Sequence, residues 1–81
     1  MQLSVVTPEK ELFNGEISLI QLPGIDGSFE ILKNHAPIIS SLTQGQIKVT
    51  DKEKKDHFFD IAGGVIECSQ NKVIVLVEIE K

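Results

Sequence analysis

Turn-forming residues recur along this chain at short intervals, and their spacing limits what it can fold into. Signals containing Gly, Pro, Asn or Asp follow one another roughly every 6–12 residues, and the segments between them are short and apolar. No window repeats apolar residues at the i, i+3, i+4, i+7 spacing of an amphipathic helix. We therefore predict an all-β fold, a flattened antiparallel β-sandwich or barrel of about 8–10 short strands.

Alternation of apolar and polar residues, and the points where it stops, place the individual strands. Residues 2–7 alternate and end at Pro8, which cannot donate to a β-ladder. Asn14-Gly15 is the commonest two-residue hairpin turn, so a hairpin is predicted there. The nearly unbroken apolar run at 73–79 predicts a central strand that is buried on both faces.

The six residues 51–56, DKEKKD, are all charged. Such a run forms either an interaction tail or the solvated tip of a hairpin. The segments on both sides alternate like strands, which favours the hairpin tip. Further along, Cys68 alternates with Glu67 and is predicted to be a small core residue.

Composition and charge exclude several classes of function. At 81 residues the chain has room for one domain, predicted to span residues 1–81, and with four Phe and no Trp or Tyr its core must be mostly Ile, Val and Leu. The formal net charge of -4 and the absence of arginine argue against nucleic-acid binding. A single cysteine excludes an internal disulfide. Neither a signal peptide nor an apolar run of membrane-spanning length is recognisable, so we expect a soluble cytosolic domain without lipid insertion.

No arrangement of catalytic or metal-ligating residues emerges from the sequence. The candidate ligands His35, His57 and Cys68 are far apart, and no two of them have zinc-site spacing. Gly63-Gly64 lacks the Lys-Ser/Thr that follows a phosphate-binding loop. We therefore expect no catalytic residue, no cofactor and no metal.

The stretch from residue 22 to residue 42 concentrates turns and short apolar segments. Pro23-Gly24 has the residues of a type II turn, and Asp26-Gly27 those of a second hairpin turn. Such a structured segment without catalytic groups indicates a surface that is presented to a partner.

A corner follows in the same stretch. In His35-Ala36-Pro37 the residue before proline is pushed out of the helical region, which predicts an extended corner between two strands. By alternation, one of Ile38 and Ile39 is a core residue, and the other is a candidate for a protein contact.

Taken in order, these residues resemble the N-terminal β-sandwich domain of the epsilon subunit of F-type ATP synthase. The central pattern, over residues 22–47, is LPG-x-x-G-x-F-x-IL-x-x-HAP-II-x-x-L-x-x-G-x-I. The similarity continues towards both ends of the chain, through Val6-Thr7-Pro8 with Phe13-x-Gly15, through Gly63-Gly64-Val65-Ile66-Glu67 and through residues 71–76. The ordered set covers essentially all 81 residues in register.

The resemblance implies a non-catalytic rotor subunit of the central stalk, which couples rotation of the ring of c subunits to the gamma subunit while an ion gradient drives ATP synthesis. It also implies indirect contact with the catalytic head and a peripheral position on the cytoplasmic face of the bacterial inner membrane. The surface expected to pack on gamma comprises His35, Ala36, Pro37, Ile38, Ile39 and Ser40. The turn expected to face the polar loops of the c ring comprises Asp26, Gly27, Ser28 and Glu30.

The chain departs from the family's pattern at three places. Glu30 stands where the family commonly has Gly, and Lys33-Asn34 where it commonly has Pro-Gly, although Asn tolerates the positive φ of a Gly. Many members continue into a C-terminal pair of helices that can restrain ATP hydrolysis and in some members binds ATP, whereas this sequence ends at Lys81. We therefore expect a short form without the helical hairpin, natural or shortened, and without helix-based inhibition or nucleotide binding.

Two other classes of function stay open from the residues alone. A stand-alone small β-barrel that binds a ligand or peptide would need an apolar pocket or an open edge strand. A small cysteine-dependent enzyme would pair Cys68 with His35 or His57 and would need a reactive thiol.

Overall fold

Eight β-strands account for most of the residues that the structure, a computed structural model, describes, namely 1–79. In chain order they are β1 (Gln2–Val6), β2 (Glu11–Gly24), β3 (Gly27–Leu32), β4 (Ile38–Leu42), β5 (Gly45–Asp51), β6 (Asp56–Ile61), β7 (Gly63–Ser69) and β8 (Lys72–Glu78). The all-β prediction is therefore confirmed. Residues 80 and 81 of the predicted 1–81 domain lie outside the described residues. Within residues 1–79, no helix is long and apolar enough to cross a membrane.

The strands pair into two layers that are joined through β2. One layer has the order β1-β8-β7-β4, and the other contains β2-β5-β6 with β3 added beside β2. The first half of β2 pairs with β1, and its second half pairs with β3 and β5, so this strand belongs to both layers. The pairings of the described residues are antiparallel except for β1 with β8, which is parallel. The predicted flattened antiparallel sandwich is thus correct apart from this one pair.

The longest strand, β2, runs through a position that the sequence marks as a turn. Asn14 and Gly15 are paired with β1 in a regular ladder, so the hairpin predicted at these residues is wrong. The chain reverses earlier, at residues 7–10, where Thr7 N donates to Lys10 O over 2.8 Å. Thr7 Oγ1 also accepts hydrogen bonds from two backbone N–H groups of this loop, at 3.2 and 3.0 Å. These bonds to Thr7 Oγ1 close the turn at residues 7–10, so β1 and β2 are already connected before Asn14. The β1–β2 ladder then overrides the local preference of Asn14-Gly15 for a turn.

Alternating side chains of both layers meet in one apolar core. No polar side chain among the described residues is buried. In β8, Val73, Val75 and Val77 are fully buried, whereas Ile74 and Leu76 on the other face are 40% and 47% exposed. The prediction that this strand is buried on both faces is therefore wrong. The physical reason is that the sandwich has a second layer on only one side of β8, so the other side meets solvent.

Candidate partner-binding surfaces

The predicted turn around Asp26-Gly27 forms the tip of the β2–β3 hairpin. Gly24 pairs with Gly27, which leaves Ile25 and Asp26 as the two central residues. Gly27 has a φ of 125°, a conformation that residues with a Cβ rarely adopt. The type II turn predicted at Pro23-Gly24 is wrong, because both residues belong to the β2 ladder and the reversal comes after them. We call residues 24–27 the β2–β3 turn.

The β2–β3 turn and the strand that follows it project side chains into solvent. Asp26, Ser28 and Glu30 are all exposed, and Glu30 lies on the outer face of β3 opposite Gln21. The Glu30 side chain therefore meets no crowding from its own chain. Ile25, which the sequence analysis did not single out, is 63% exposed at the tip. The turn and the adjoining part of β3 thus combine two carboxylates, Asp26 and Glu30, with one exposed isoleucine.

The corner predicted at His35-Ala36-Pro37 is formed by residues 33–37, between β3 and β4, and we call it the 33–37 corner. Asn34 has a φ of 64°, so its predicted left-handed conformation is confirmed. His35 N donates to Leu32 O over 3.2 Å. His35 Nδ1 lies 2.7 Å from Ala36 O and donates to it in the Nδ1-protonated tautomer. The corner is therefore an ordered turn, with Ala36 and Pro37 exposed at its surface.

The two isoleucines that open β4 point in opposite directions. Ile38 is half-buried and packs against the core, while Ile39 is 73% exposed. Ser40 follows the alternation of Ile38 and is also half-buried. Of the residues that the resemblance assigns to a gamma contact, Ile39 and the exposed part of the corner are available to a partner, and Ile38 and Ser40 are less so.

Ile39 belongs to a larger apolar surface on the outer side of the β8-β7-β4 layer. We define this outer apolar strip by Ile39, Val65, Ile74 and Leu76, which are 73%, 45%, 40% and 47% exposed. Val65 lies directly opposite Leu76, and Glu67 is the ladder partner of both Ile39 and Ile74. Glu67 thus lies between Ile39 and Ile74, and exposed apolar side chains that cluster among polar neighbours mark protein contact sites. Only Ile39 of this strip was anticipated as a contact from the sequence.

Along the strands, the strip lies between the 33–37 corner and the β2–β3 turn. The β2–β3 turn and the 33–37 corner lie at opposite ends of β3, whose six residues span about 20 Å at the usual rise of a strand. Ile39 begins the strip near the corner. Val65 lies at its other end, beside the pairing of Gly64 with Leu42, and Leu42 pairs in turn with Gly24 of the β2–β3 turn. The exposed apolar residues therefore occupy two successive outward levels of the ladder, one with Ile39 and Ile74 and one with Val65 and Leu76, about 7 Å apart along the strands.

A polar cluster organises the β5–β6 hairpin but gathers no reactive group. Asp51 Oδ1 accepts hydrogen bonds from the backbone N–H groups of Glu53 and Lys55 at 2.8 and 3.0 Å, and Asp51 Oδ2 lies 2.9 Å from His57 Nε2. The hydrogen bond with His57, followed by that with the Lys55 N–H, lowers the pKa of Asp51. The charged run is thus the tip of a hairpin, as predicted, and not a tail. The carboxylate of Asp51 closes this turn through its hydrogen bonds with Glu53 N and Lys55 N.

The candidate ligands and nucleophile are kept apart by the fold. Cys68 is 1% exposed, so its predicted place in the core is confirmed, and burial raises the pKa of its thiol. His35 lies in the 33–37 corner, whereas His57 lies on β6 in the other layer, with its ring 5.1 Å from that of Phe13. Within residues 1–79, no three His, Cys, Asp or Glu side chains come together as a possible metal site.

Comparison with protein families supports the resemblance on which the two contact regions were chosen. The family model described as "ATP synthase, Delta/Epsilon chain, beta-sandwich domain" matches residues 1–79. The ATP synthase epsilon chain of Chlorobium limicola is 42% identical over 77 residues, which cover 95% of this chain and 88% of that protein. The ATP synthase epsilon chain of Campylobacter concisus is 38% identical over 78 residues, covering 96% of this chain and 60% of that longer protein.

Solved structures with the same fold come from ATP synthases. A chain of the mitochondrial ATP synthase of Euglena gracilis, in a structure of OSCP, F1 and the c-ring, superposes with a TM-score of 0.87 at 18% identity, over 93% of this chain and 48% of that one. A chain of the central stalk and c-ring structure of the Tetrahymena thermophila mitochondrial ATP synthase gives a TM-score of 0.78 at 22% identity, over 96% and 63%. At these identities the similarity establishes the β-sandwich fold.

Proposed function

Since the chain belongs to the family of ATP synthase epsilon chains, we propose that it is a non-catalytic subunit of the rotor. In this proposal it couples rotation of the c ring to the gamma subunit during ATP synthesis. The gamma subunit binds the 33–37 corner and the outer apolar strip, and the c ring meets the β2–β3 turn with Ser28 and Glu30. Its place is the cytoplasmic face of the bacterial inner membrane, as a peripheral part of the complex.

The observation that carries the proposal is the outer apolar strip. Apolar side chains on the solvent side of a sheet add nothing to the core of the domain itself. Here four of them, Ile39, Val65, Ile74 and Leu76, are 40–73% exposed on three adjacent strands. A protein partner that covers them gains about 25 cal/mol for each Å² of apolar surface removed from water. Small side chains lie beside the strip, such as Ser41 opposite Val65, and leave room for the side chains of a partner.

The β2–β3 turn has the character expected of a contact with polar loops. Asp26 in the turn and Glu30 on the adjoining strand β3 carry negative charge, and Ile25 supplies one exposed apolar side chain at the tip. Carboxylates on a protruding hairpin attract basic side chains and amide donors of an opposing loop, and they help to set the orientation of the contact. The stalk and the ring would therefore be held through different chemistry, apolar on one surface and polar on the other.

The pairing of the strands explains how the domain could transmit torque between these surfaces. The β2–β3 turn is linked to the strip by the single pair of Gly24 with Leu42 and then by the five-residue ladder between β4 and β7. A force applied at the turn reaches the strip through backbone hydrogen bonds and through a closely packed core, which is a medium of low compressibility. The mechanism requires a stiff connection and no bond chemistry.

A matched pair of substitutions tests this proposal. Ile39 on the strip and Phe58 on the outer face of β6 are both strongly exposed, at 73% and 55%. Ile39→Asp removes an apolar contact worth roughly 1.5–2 kcal/mol and places a carboxylate against gamma, so we expect at least about 30-fold weaker binding. Phe58→Asp changes a surface of the other layer and should leave gamma affinity within about twofold.

The measurement is a calorimetric titration of the isolated gamma subunit with each variant, after thermal unfolding has established that both are folded. Equal affinity of the two variants, both close to that of the unmodified chain, would mean that gamma does not bind the outer apolar strip. Equal and large losses would show that the effect is general and has nothing to do with the strip.

A further inference from the structure

The 33–37 corner is held by a side chain from a distant turn. Asn71, in the turn between β7 and β8, accepts a hydrogen bond on Oδ1 from Asn34 N over 3.1 Å. The backbone carbonyl of Asn71 accepts a second hydrogen bond from Gln2 N, also over 3.1 Å. One residue therefore links the start of β1, the β7–β8 turn and the corner, whose amide is 37 residues away in the chain.

This long-range bond differs from the other hydrogen bonds of the corner. Among residues 1–79, those with His35 join it to Leu32 and Ala36, which are close neighbours in sequence. Local bonds fix the shape of a loop, but they do not fix its orientation relative to the rest of the domain. The bond from Asn34 to Asn71 does so, because β7 and β8 form the layer that carries the outer apolar strip.

The chemistry of position 71 restricts which residues can make this link. Asn71 has a φ of 62°, in the left-handed region where Gly, Asn and Asp are tolerated best. Its side chain must also place an acceptor oxygen within reach of Asn34 N. Glycine satisfies the first condition and not the second, whereas aspartate satisfies both.

We propose that Asn71 is a positioning residue for gamma binding, which acts by holding the 33–37 corner in register with the outer apolar strip. This inference rests on the function proposed above. Asn71 itself need not contact gamma. Because the corner is ordered before the partner arrives, less conformational freedom is lost on binding. Loss of the hydrogen bond from Asn34 N to Asn71 Oδ1 should therefore weaken gamma binding about 3–10-fold, which is less than the loss of a direct contact such as Ile39.

The test uses three variants of the β7–β8 turn. Asn71→Gly keeps the backbone conformation and removes the acceptor, and Asn71→Asp keeps both. The matched control is Gln70→Gly. Gln70 has a φ of 50° in the same turn, but within residues 1–79 its side chain makes no hydrogen bond to the corner. Each variant is examined by amide hydrogen exchange at Asn34, by thermal unfolding and by titration with gamma.

The expected pattern separates positioning from stability. Asn71→Gly should accelerate exchange at the Asn34 amide at least about tenfold and weaken gamma binding, while Asn71→Asp restores both and Gln70→Gly changes neither. If exchange accelerates but gamma affinity is unchanged, while Ile39→Asp still weakens binding, the positioning role is refuted and the proposed interface stands. If Ile39→Asp has no effect either, the interface itself is refuted. Unchanged exchange at the Asn34 amide in Asn71→Gly would show that the Asn71 side chain does not hold the corner, and the proposal would be refuted.

Discussion

The adjacent glycines that open β7 differ in what surrounds them, and this difference gives a quantitative prediction. A Cβ added at Gly64 would overlap the carbonyl oxygen of Leu76 and lie 3.1 Å from Val77 Cα. A Cβ added at Gly63 would meet only Leu42 O, at 3.5 Å, which is an ordinary contact. Both neighbours at Gly64 are backbone atoms of β8, so no side-chain rotation can relieve the overlap. Gly64→Ala must therefore push β8 away from β7.

The cost of this displacement can be estimated from known overpacking effects. Extra atoms in a well-packed interior cost about 1–3 kcal/mol, and rigid backbone neighbours place Gly64→Ala near the upper end. Gly63→Ala should change the free energy of unfolding by less than about 0.5 kcal/mol, since lost flexibility of the unfolded chain partly offsets the new contact. For a domain of this size, about 3 kcal/mol corresponds to a fall in Tm of roughly 12–24 °C.

Urea and thermal unfolding of the two alanine variants measure this difference directly. We expect a lower urea midpoint for Gly64→Ala with an unchanged slope. The midpoint of Gly63→Ala should be nearly the same as that of the unmodified chain. If the two variants unfolded within about 0.5 kcal/mol of each other, the close approach of β7 and β8 at Gly64 would not be a real constraint on the fold.

Two further predictions concern other parts of the surface. The lowered pKa of Asp51 means that its ionised form is favoured by folding, so its contribution is present above about pH 4 and lost as the pH falls through the folded pKa. In urea unfolding, Asp51→Asn should therefore destabilise the chain at pH 6, and the difference from the unmodified chain should shrink as the pH falls below about 4; a difference independent of pH would contradict this. Ile25→Ser should weaken binding to the isolated c ring about 3–10-fold and leave gamma affinity unchanged, and the opposite result in paired titrations would reverse the assignment of the two surfaces.

Much of the fold could be predicted because its signals are local. The hairpin tip at residues 51–56 and the left-handed Asn34 depend on the preferences of a few neighbouring residues, and the structure has both. Asn14-Gly15 carries an equally strong local signal, yet it lies within β2. There the ladder with β1 decides the conformation, and the stability of a ladder depends on residues that are distant in sequence.

The outer apolar strip shows why the contact surface was harder to predict than the fold. A strand with one solvated face normally alternates apolar and polar residues, and this alternation tells the two faces apart. In β8, Ile74 and Leu76 on the outer face are as apolar as Val73, Val75 and Val77 on the inner face, so the period of two disappears. The sequence then looks like a strand that is buried on both sides.

The apolar outer face of β8 is accounted for if the proposed gamma contact forms. If gamma covers the strip, β8 is a central strand between the chain's own core and an interface with another subunit. Burial on both faces then describes the assembly, while the isolated chain shows the same residues exposed. An apolar run such as 73–77, in a strand with only one packed face, is what we expect of a strand whose outer face binds another subunit in the proposed assembly. Phe58 differs from these residues, because its β5 ladder partner is Lys48 and its strand belongs to the other layer, so we expect Phe58→Asp to leave gamma binding unaffected.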